Sequence, residues 1–237
     1  MLEVIEIPPG EYRVGNESIP NGSPQHRRRL HDPVWMDARP VSWDHFESFV
    51  VGGGYSTELL EGQSVDRRTR QLIEQSMEAR MQSGRSTDPV LSQPVTGLTW
   101  FEAVEVAAFY RARLPYEIEW EIAHTSKSTD ADTSDEPSGG PQSRFGLSIL
   151  IGELQEWTLD AFSKTYWRAD FDKRGVPWSR ERPGSGVSVR GAGPGDMFRH
   201  VSYRFASAPN HTHVHRGFRR VWDSKPVDAD IVPGWRR

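Results

Sequence analysis

The chain has 237 residues, a formal net charge of −4 and no cysteine. Without a thiol it can form no disulfide, no thiolate metal site and no cysteine nucleophile, and its slightly acidic balance supplies no basic field to hold nucleic acid. Hydrophobic residues make up 35%, with 21 Gly and 17 Pro, so one α+β domain over residues 1–237 with extensive loop is expected, its core filled by nine Trp and ten Phe.

The opening MLEVIEIPPG has neither a basic n-region nor an apolar h-region, and no stretch approaches 18 apolar residues. The expectation is a soluble, cytoplasmic protein with no leader and no membrane segment. Residues 2–15 read as two short strands around Pro8-Pro9-Gly10. Residues 15–32 are polar and turn-rich, and a further strand is expected over Pro33 to Met36. The basic run Arg27-Arg28-Arg29 reads as solvated surface, as do Arg219-Arg220 and Arg236-Arg237.

Ser42 is placed to cap a helix running to about Val50, with Phe46, Phe49 and Val50 on one face. Gly52-Gly53-Gly54 ends it; the following residues lack the lysine of a phosphate-cradling loop. Residues 64–83 predict a helix with a thin apolar stripe of Ile73, Met77 and Met81, a surface suited to water or a partner. Thr99-x-x-Glu102 is a capping box opening a helix whose apolar face is Trp100, Ala103, Ala107 and Tyr110. Leu114-Pro115 stops it, and Glu117 to His124 predicts a second short helix with Ile118, Trp120 and Ile122 inward. Residues 125–144 hold almost no apolar side chain and read as a mobile loop. Short strands are expected over Gly186 to Gly191 and Gly217 to Trp222, and residues 224–237 read as a Pro-punctuated tail.

Five blocks in order carry a resemblance. IPPGEYRVG, PVSWDHFESFV, PVTGLTWFEAVEVAAFYRARLPYEIEWEIA and FGLSILIGELQEWTLDAF are followed by VSVRGAG, SYRFASA and RGFRRV. Together they resemble the formylglycine-generating (sulfatase-modifying factor) family, and the third block is the most specific. The resemblance implies a C-type-lectin-like α+β fold, with two main helices on small antiparallel sheets and long loops.

It also implies a chemistry that this chain departs from. The founding enzymes bind copper through two cysteines in the stretch that here reads GAGPGDMFRHVSYRF, which has no thiol. Soft thiolates hold Cu(I), and nothing in the stretch replaces them. The family's calcium-binding Asn and Glu match Glu153 and Glu156, oxygen ligands suited to a hard ion. The alternative is two solvated glutamates. Tyr116 replaces the threonine that caps the second helix in the family. Arg190, Arg204 and Arg219 match family arginines, either as paired, buried guanidinium groups or as substrate contacts. Trp157 and Asp196 join Arg190 as candidate substrate-binding residues, and His200 and Arg204 are the candidate catalytic pair.

His211-Thr212-His213-Val214-His215 places three imidazoles at i, i+2 and i+4, on one face of an extended segment. They are candidate ligands for non-haem iron or another transition metal, with Asp196 and His200 as further donors. Against this, the outer two lie about 13 Å apart on a straight strand, too far for one ion without a bend. Three functions remain open: a metal-dependent oxidoreductase acting on a small molecule or peptide without copper–thiolate chemistry, a noncatalytic ligand-binding or display module, and a subunit completed by a partner or by a second copy. No nucleic-acid or membrane partner is expected.

Overall fold

The computed structural model describes residues 4–52, 54, 92–125, 143–148, 150–168, 174–180 and 184–227. The helix expected over 64–83, most of the loop expected over 125–144 and the end of the tail lie outside the described residues. Within them, no helix is long and apolar enough to cross a membrane.

The fold is α+β and C-type-lectin-like. Strand β1 (Val4–Ile7) runs into β2 (Gly10–Val14), followed by β3 (His26–Leu30), β4 (Val34–Asp37) and helix α1 (Trp43–Val51). Helices α2 (Trp100–Phe109) and α3 (Glu117–His124) precede β5 (Leu154–Ala161), β6 (Val187–Ala192), β7 (Arg204–Ser207), β8 (Arg216–Gly217) and β9 (Val221–Trp222). Three small sheets result, in the orders β1-β4-β9, β2-β3 and β7-β6-β5-β8. All pairings are antiparallel except β5 with β8, which is parallel.

Local chemistry accounts for both expected helix starts. In α2 the Glu102 amide donates to Thr99 Oγ1 at 3.2 Å, while the Thr99 amide and hydroxyl donate to Glu102 Oε2, each at 2.7 Å. Such a cap contributes about 1 kcal/mol. Helix α3 lacks the family's threonine, and its first-turn amides find carboxylates instead. The Tyr116 amide donates to Glu119 at 2.9 Å and the Glu117 amide to Asp160 of β5 at 2.6 Å. Tyr116 itself packs beneath the Arg113 guanidinium, 4.9 Å from its ring centre.

Three structural findings differ from the sequence expectation. Residues 26–30 form β3, paired with β2 in register Gly10↔Leu30 through Val14↔His26, inside the stretch expected to be turns. The segment Gly217 to Trp222 is two short strands in different sheets. Arg220, expected at the surface, is fully buried, and Arg219, read both as surface and as a buried pair, is the buried pair.

One hydrophobic cluster joins α1, α2 and the β5-β6 sheet around Phe46, Phe49, Trp100, Tyr110 and Trp157. A second packs α3 on the N-terminal strands through Ile118, Ile122, Leu30 and Met36. The β8 strand crosses close over residue 95: a Cβ on Gly217 would lie 2.9 Å from the Val95 carbonyl oxygen. That close approach brings the His-rich segment next to the start of α2.

Candidate functional site

Helix α3 is buried along its whole length, including Glu117, Glu119 and Glu121. Buried carboxylates are tolerable only when paired. Glu117 receives Arg204 through Nε at 2.8 Å and Nη2 at 2.7 Å, and lies 3.3 Å from Arg190 Nε. Glu121 receives Arg190 Nη2 at 2.7 Å, the Ser202 hydroxyl at 2.8 Å and the Gly15 amide at 2.9 Å. Burial pushes the Glu121 carboxyl up, but Arg190 and these donors outweigh it and hold it below the usual carboxylate range. Glu119 is forked by Arg113 at 2.7 and 2.8 Å. Beside this group, burial and the Glu117 charge raise the Asp160 carboxyl well above its usual range. Two further buried pairs close the C-terminal strands. Arg220 Nε and Nη2 reach Asp37 at 2.9 and 3.0 Å, and Arg219 Nε reaches both Glu156 oxygens at 3.1 and 3.0 Å.

At the β6 end of the larger sheet lies a second polar group. Arg216 is buried, with Nε and Nη2 donating to Gln155 Oε1 at 3.1 and 3.0 Å and Nη1 to the Ser207 hydroxyl at 2.7 Å. Its guanidinium stacks 4.4 Å from the Trp157 ring centre. Gln155 passes the interaction on, its Nε2 donating to Asp196 Oδ2 at 2.9 Å, which also accepts the Gly193 amide at 2.7 Å. Burial lowers the Arg216 pKa to about 10, with Asp196 acting in the opposite direction. The turn that aims Asp196 is closed by the Asp196 amide donating to the Gly193 carbonyl at 3.2 Å, and it follows Gly191 of β6, where a Cβ at the φ of +76° would lie only 2.8 Å from the Leu154 carbonyl oxygen.

Next to this group opens a cleft of about 400 Å³. Its walls come from Arg39 and Pro40 after β4, Ser92 to Pro94 and Thr96 before α2, Ser148 and Leu150 before β5, Glu153 and Leu154, and His215. Backbone bonds fix these segments to one another. The Trp43 amide donates to Gln93 at 3.1 Å, Val95 to Val41 at 2.8 Å, Ser148 to Ala38 at 2.8 Å and Gln155 to His215 at 2.8 Å.

With this geometry established, likeness to known proteins becomes informative. The family described as "Sulfatase-modifying factor enzyme 1-like domain" matches residues 1–137, more than half of the chain. The chain belongs to that family. It is 22% identical over 294 residues to the formylglycine-generating enzyme of Mus musculus, covering 96% of this chain and 77% of that enzyme. It is 25% identical over 206 residues to the serine/threonine-protein kinase pkn1 of Chlamydia pneumoniae, covering 79% of this chain. There it spans about a third of the relative's length, 32%. The solved structure of PvdO from Pseudomonas aeruginosa superposes with a TM-score of 0.65 at 18% identity, covering 92% of this chain and 93% of that one. At that identity the likeness shows the fold.

Within the sulfatase-modifying-factor scaffold, several residues expected at a site are held as structure. Arg190 and Arg204 are fully buried in the α3 ion pairs, and Trp157 is fully buried with its Nε1 donating to the Leu98 carbonyl at 3.1 Å. Glu156 is buried with both carboxylate oxygens turned to Arg219, so it does not fit a calcium ligand, and Glu153 is exposed at the cleft instead. The sequence contains no thiol to fit a thiolate-bound copper.

Of the histidines, His213 and His215 have ring centres 5.9 Å apart, and the His213 Nδ1 accepts the His215 amide at 3.2 Å. His211 turns toward the Ser207 hydroxyl at 3.4 Å. Partial burial, then the Arg216 charge and the neighbouring His215, lower the His213 pKa, with Asp196 opposing. His200 lies elsewhere: its Nδ1 accepts the Ser202 amide at 2.9 Å and its Nε2 faces Asn16 at 3.5 Å. Among the described residues, no group of three His, Asp or Glu side chains is arranged to hold a metal ion.

The structure therefore keeps Asp196, His213 and His215 at one end of the sheet and separates them from His200 and Arg204. Arg39, Thr96 and Gln155 join the site although none was a candidate from the sequence; Thr96 and Gln155 lie within the motif blocks, and Arg39 lies outside them. The cleft is assembled from four chain segments, and only tertiary contacts bring those together.

Proposed function

We propose that this chain is a noncatalytic ligand-binding module of the sulfatase-modifying-factor fold, its ligand a small polar molecule or short peptide held in the cleft beside His215. One observation carries the reading. The family-matched arginines and tryptophan are consumed in buried ion pairs and core packing, while a cleft of about 400 Å³ is lined by polar side chains left open to a ligand, among them Arg39, Gln93, Glu153 and His215. That volume lies within the range of about 300–1,000 Å³ typical of small-ligand sites. Fold likeness alone does not choose a function, so the argument rests on the site.

A second reading is a metal-dependent oxidoreductase that works without thiolate copper. It is favoured by the closeness of His213 and His215 and the action of Asp196 on His213. Imidazole and carboxylate together suit iron, zinc or copper(II). One experiment separates the two readings. Purified protein is analysed for metals under aerobic and anaerobic conditions, and ligand binding is followed by saturation-transfer NMR with and without chelator. The binding-module reading expects a ligand signal that survives chelation and survives replacement of His211 and His213 by Ala. Stoichiometric Fe, Cu or Zn that is lost from that variant, together with chelator-sensitive turnover, would overturn it in favour of the oxidoreductase.

A further inference from the structure

The cleft carries an unusual pair of charges. Arg39 and Glu153 both line it, both are exposed, and among the described residues neither enters an ion pair or a side-chain hydrogen bond. The acidic side chains that close the fold behave differently: Asp37, Glu117, Glu119, Glu121 and Glu156 are all paired with arginine. The backbone beside each is anchored. Arg39 follows Ala38, whose carbonyl accepts the Ser148 amide, and precedes the rigid Pro40. Glu153 sits in a turn held by the Glu153 and Leu154 amides, which donate to the Leu150 carbonyl at 2.9 and 2.8 Å. The result is one cation and one anion presented on the walls of a single cleft. Pro40, Pro94, Leu150 and Leu154 line the same cleft.

We propose that the cleft recognises a small zwitterion of the α-amino-acid type, a free amino acid or short peptide with an apolar side chain. Its carboxylate is taken by the planar fork of Arg39 and its ammonium by Glu153. A guanidinium matches a carboxylate in a bidentate geometry, and charge-assisted bonds of this kind are about twice as strong as neutral ones. The apolar lining of Pro40, Pro94, Leu150 and Leu154 accepts the ligand's side chain. The inference rests on the binding-module reading and narrows its ligand to one chemical class.

The test is calorimetric titration of the full chain with L-leucine, L-phenylalanine and Leu-Leu. The same panel includes their N-acetyl and carboxamide forms, together with the neutral sugars glucose and trehalose. The free zwitterions are expected to bind, and blocking either end to weaken binding about tenfold or more, the loss of one charged hydrogen bond. Arg39→Gln is expected to abolish discrimination against the carboxamide, and Glu153→Gln discrimination against the N-acetyl form. Both side chains are exposed, and circular dichroism confirms that the variants fold. Blocked and free forms binding equally, or both variants binding like the parent, overturns the proposal. Sugars binding while zwitterions do not overturns this ligand class and leaves the binding-module reading standing. No binding by any member of the panel counts against both.

Discussion

The capping histidine of α1 gives a prediction with a sign. His45 Nδ1 lies 2.7 Å from the Ser42 hydroxyl and accepts the Ser42 amide at 3.4 Å, so it serves α1 only while unprotonated. Burial, and then the Arg220 charge nearby, lower its pKa from 6.5 to about 4. A histidine depressed in the folded state contributes stability in full above its unfolded pKa, and that stability is lost as pH falls from 6.5 toward 4. At about 1.36 kcal/mol per unit, the loss between pH 7 and pH 5 reaches about 2 kcal/mol, and about 1–2 kcal/mol once partial solvent screening of the ring is allowed for. His45→Asn keeps an acceptor at the same position and removes the titration. It also removes the edge contact with Tyr110, whose ring centre is 5.9 Å away, at a cost of about 1 kcal/mol. Urea unfolding of both proteins from pH 7.5 to 5 should therefore show the variant weaker at neutral pH and the two curves converging or crossing toward pH 5. His124, fully buried and also lowered by burial, titrates alike in both proteins and cancels in the difference. A constant gap across the range would refute the reasoning.

Other predictions concern the scaffold. Glu117→Gln leaves Arg204 and Arg190 short of a buried carboxylate and should cost about 3–5 kcal/mol in urea unfolding. Part of that loss is offset as Asp160 is relieved of the Glu117 charge that raises it. Thr99→Ala removes the cap of α2 and should cost about 1–2 kcal/mol in the same assay, because Glu102 is left buried with one donor fewer. Gly191→Ala forces a Cβ toward the Leu154 carbonyl at a φ of +76° and should cost about 1–3 kcal/mol. Because Gly191 lies two residues before the turn that aims Asp196, the amide signals of Gly193 and Asp196 should shift in its NMR spectrum.

What was legible in the sequence was local. The caps at Ser42 and Thr99 and the span Glu117 to His124 depend on residues a few positions apart, and each appears where expected, whereas α2 ends at Phe109, before the stop expected at Leu114-Pro115, where Arg111 takes a φ of +53°. The motif blocks set the fold for the same reason. What escaped was long-range charge. Strand β3 reads His-Arg-Arg-Arg-Leu, and with arginine at an inward position it shows no apolar alternation. Arg28 is buried all the same, donating to the Tyr166 carbonyl at 2.6 Å. In α3 the sequence marked only Ile118, Trp120 and Ile122 as inward, yet Glu117 and Glu121 are buried as well, and their arginine partners arrive from residues 87 and 69 positions away in sequence.

That arrangement bears on what the cleft can do. A core closed by arginine–carboxylate pairs binds those groups for structure, and breaking any pair leaves a buried charge behind, so they cannot be released to meet a ligand. Arg216 shows the limit of this scheme. It touches Gln155 and Ser207, and its nearest compensating carboxylate, Asp196, is reached only through the Gln155 amide. The amide fixes both neighbours at once: its oxygen must face Arg216 and its nitrogen Asp196. A glutamate at this position would pair with Arg216 but could not donate to Asp196, and the Gly193 to Asp196 turn would lose this side-chain anchor to the sheet. The neutral link therefore holds the loop beside His213 and His215 in place while Arg216 stays in the interior, and recognition is left to charges such as Arg39 and Glu153 that the fold does not spend on itself.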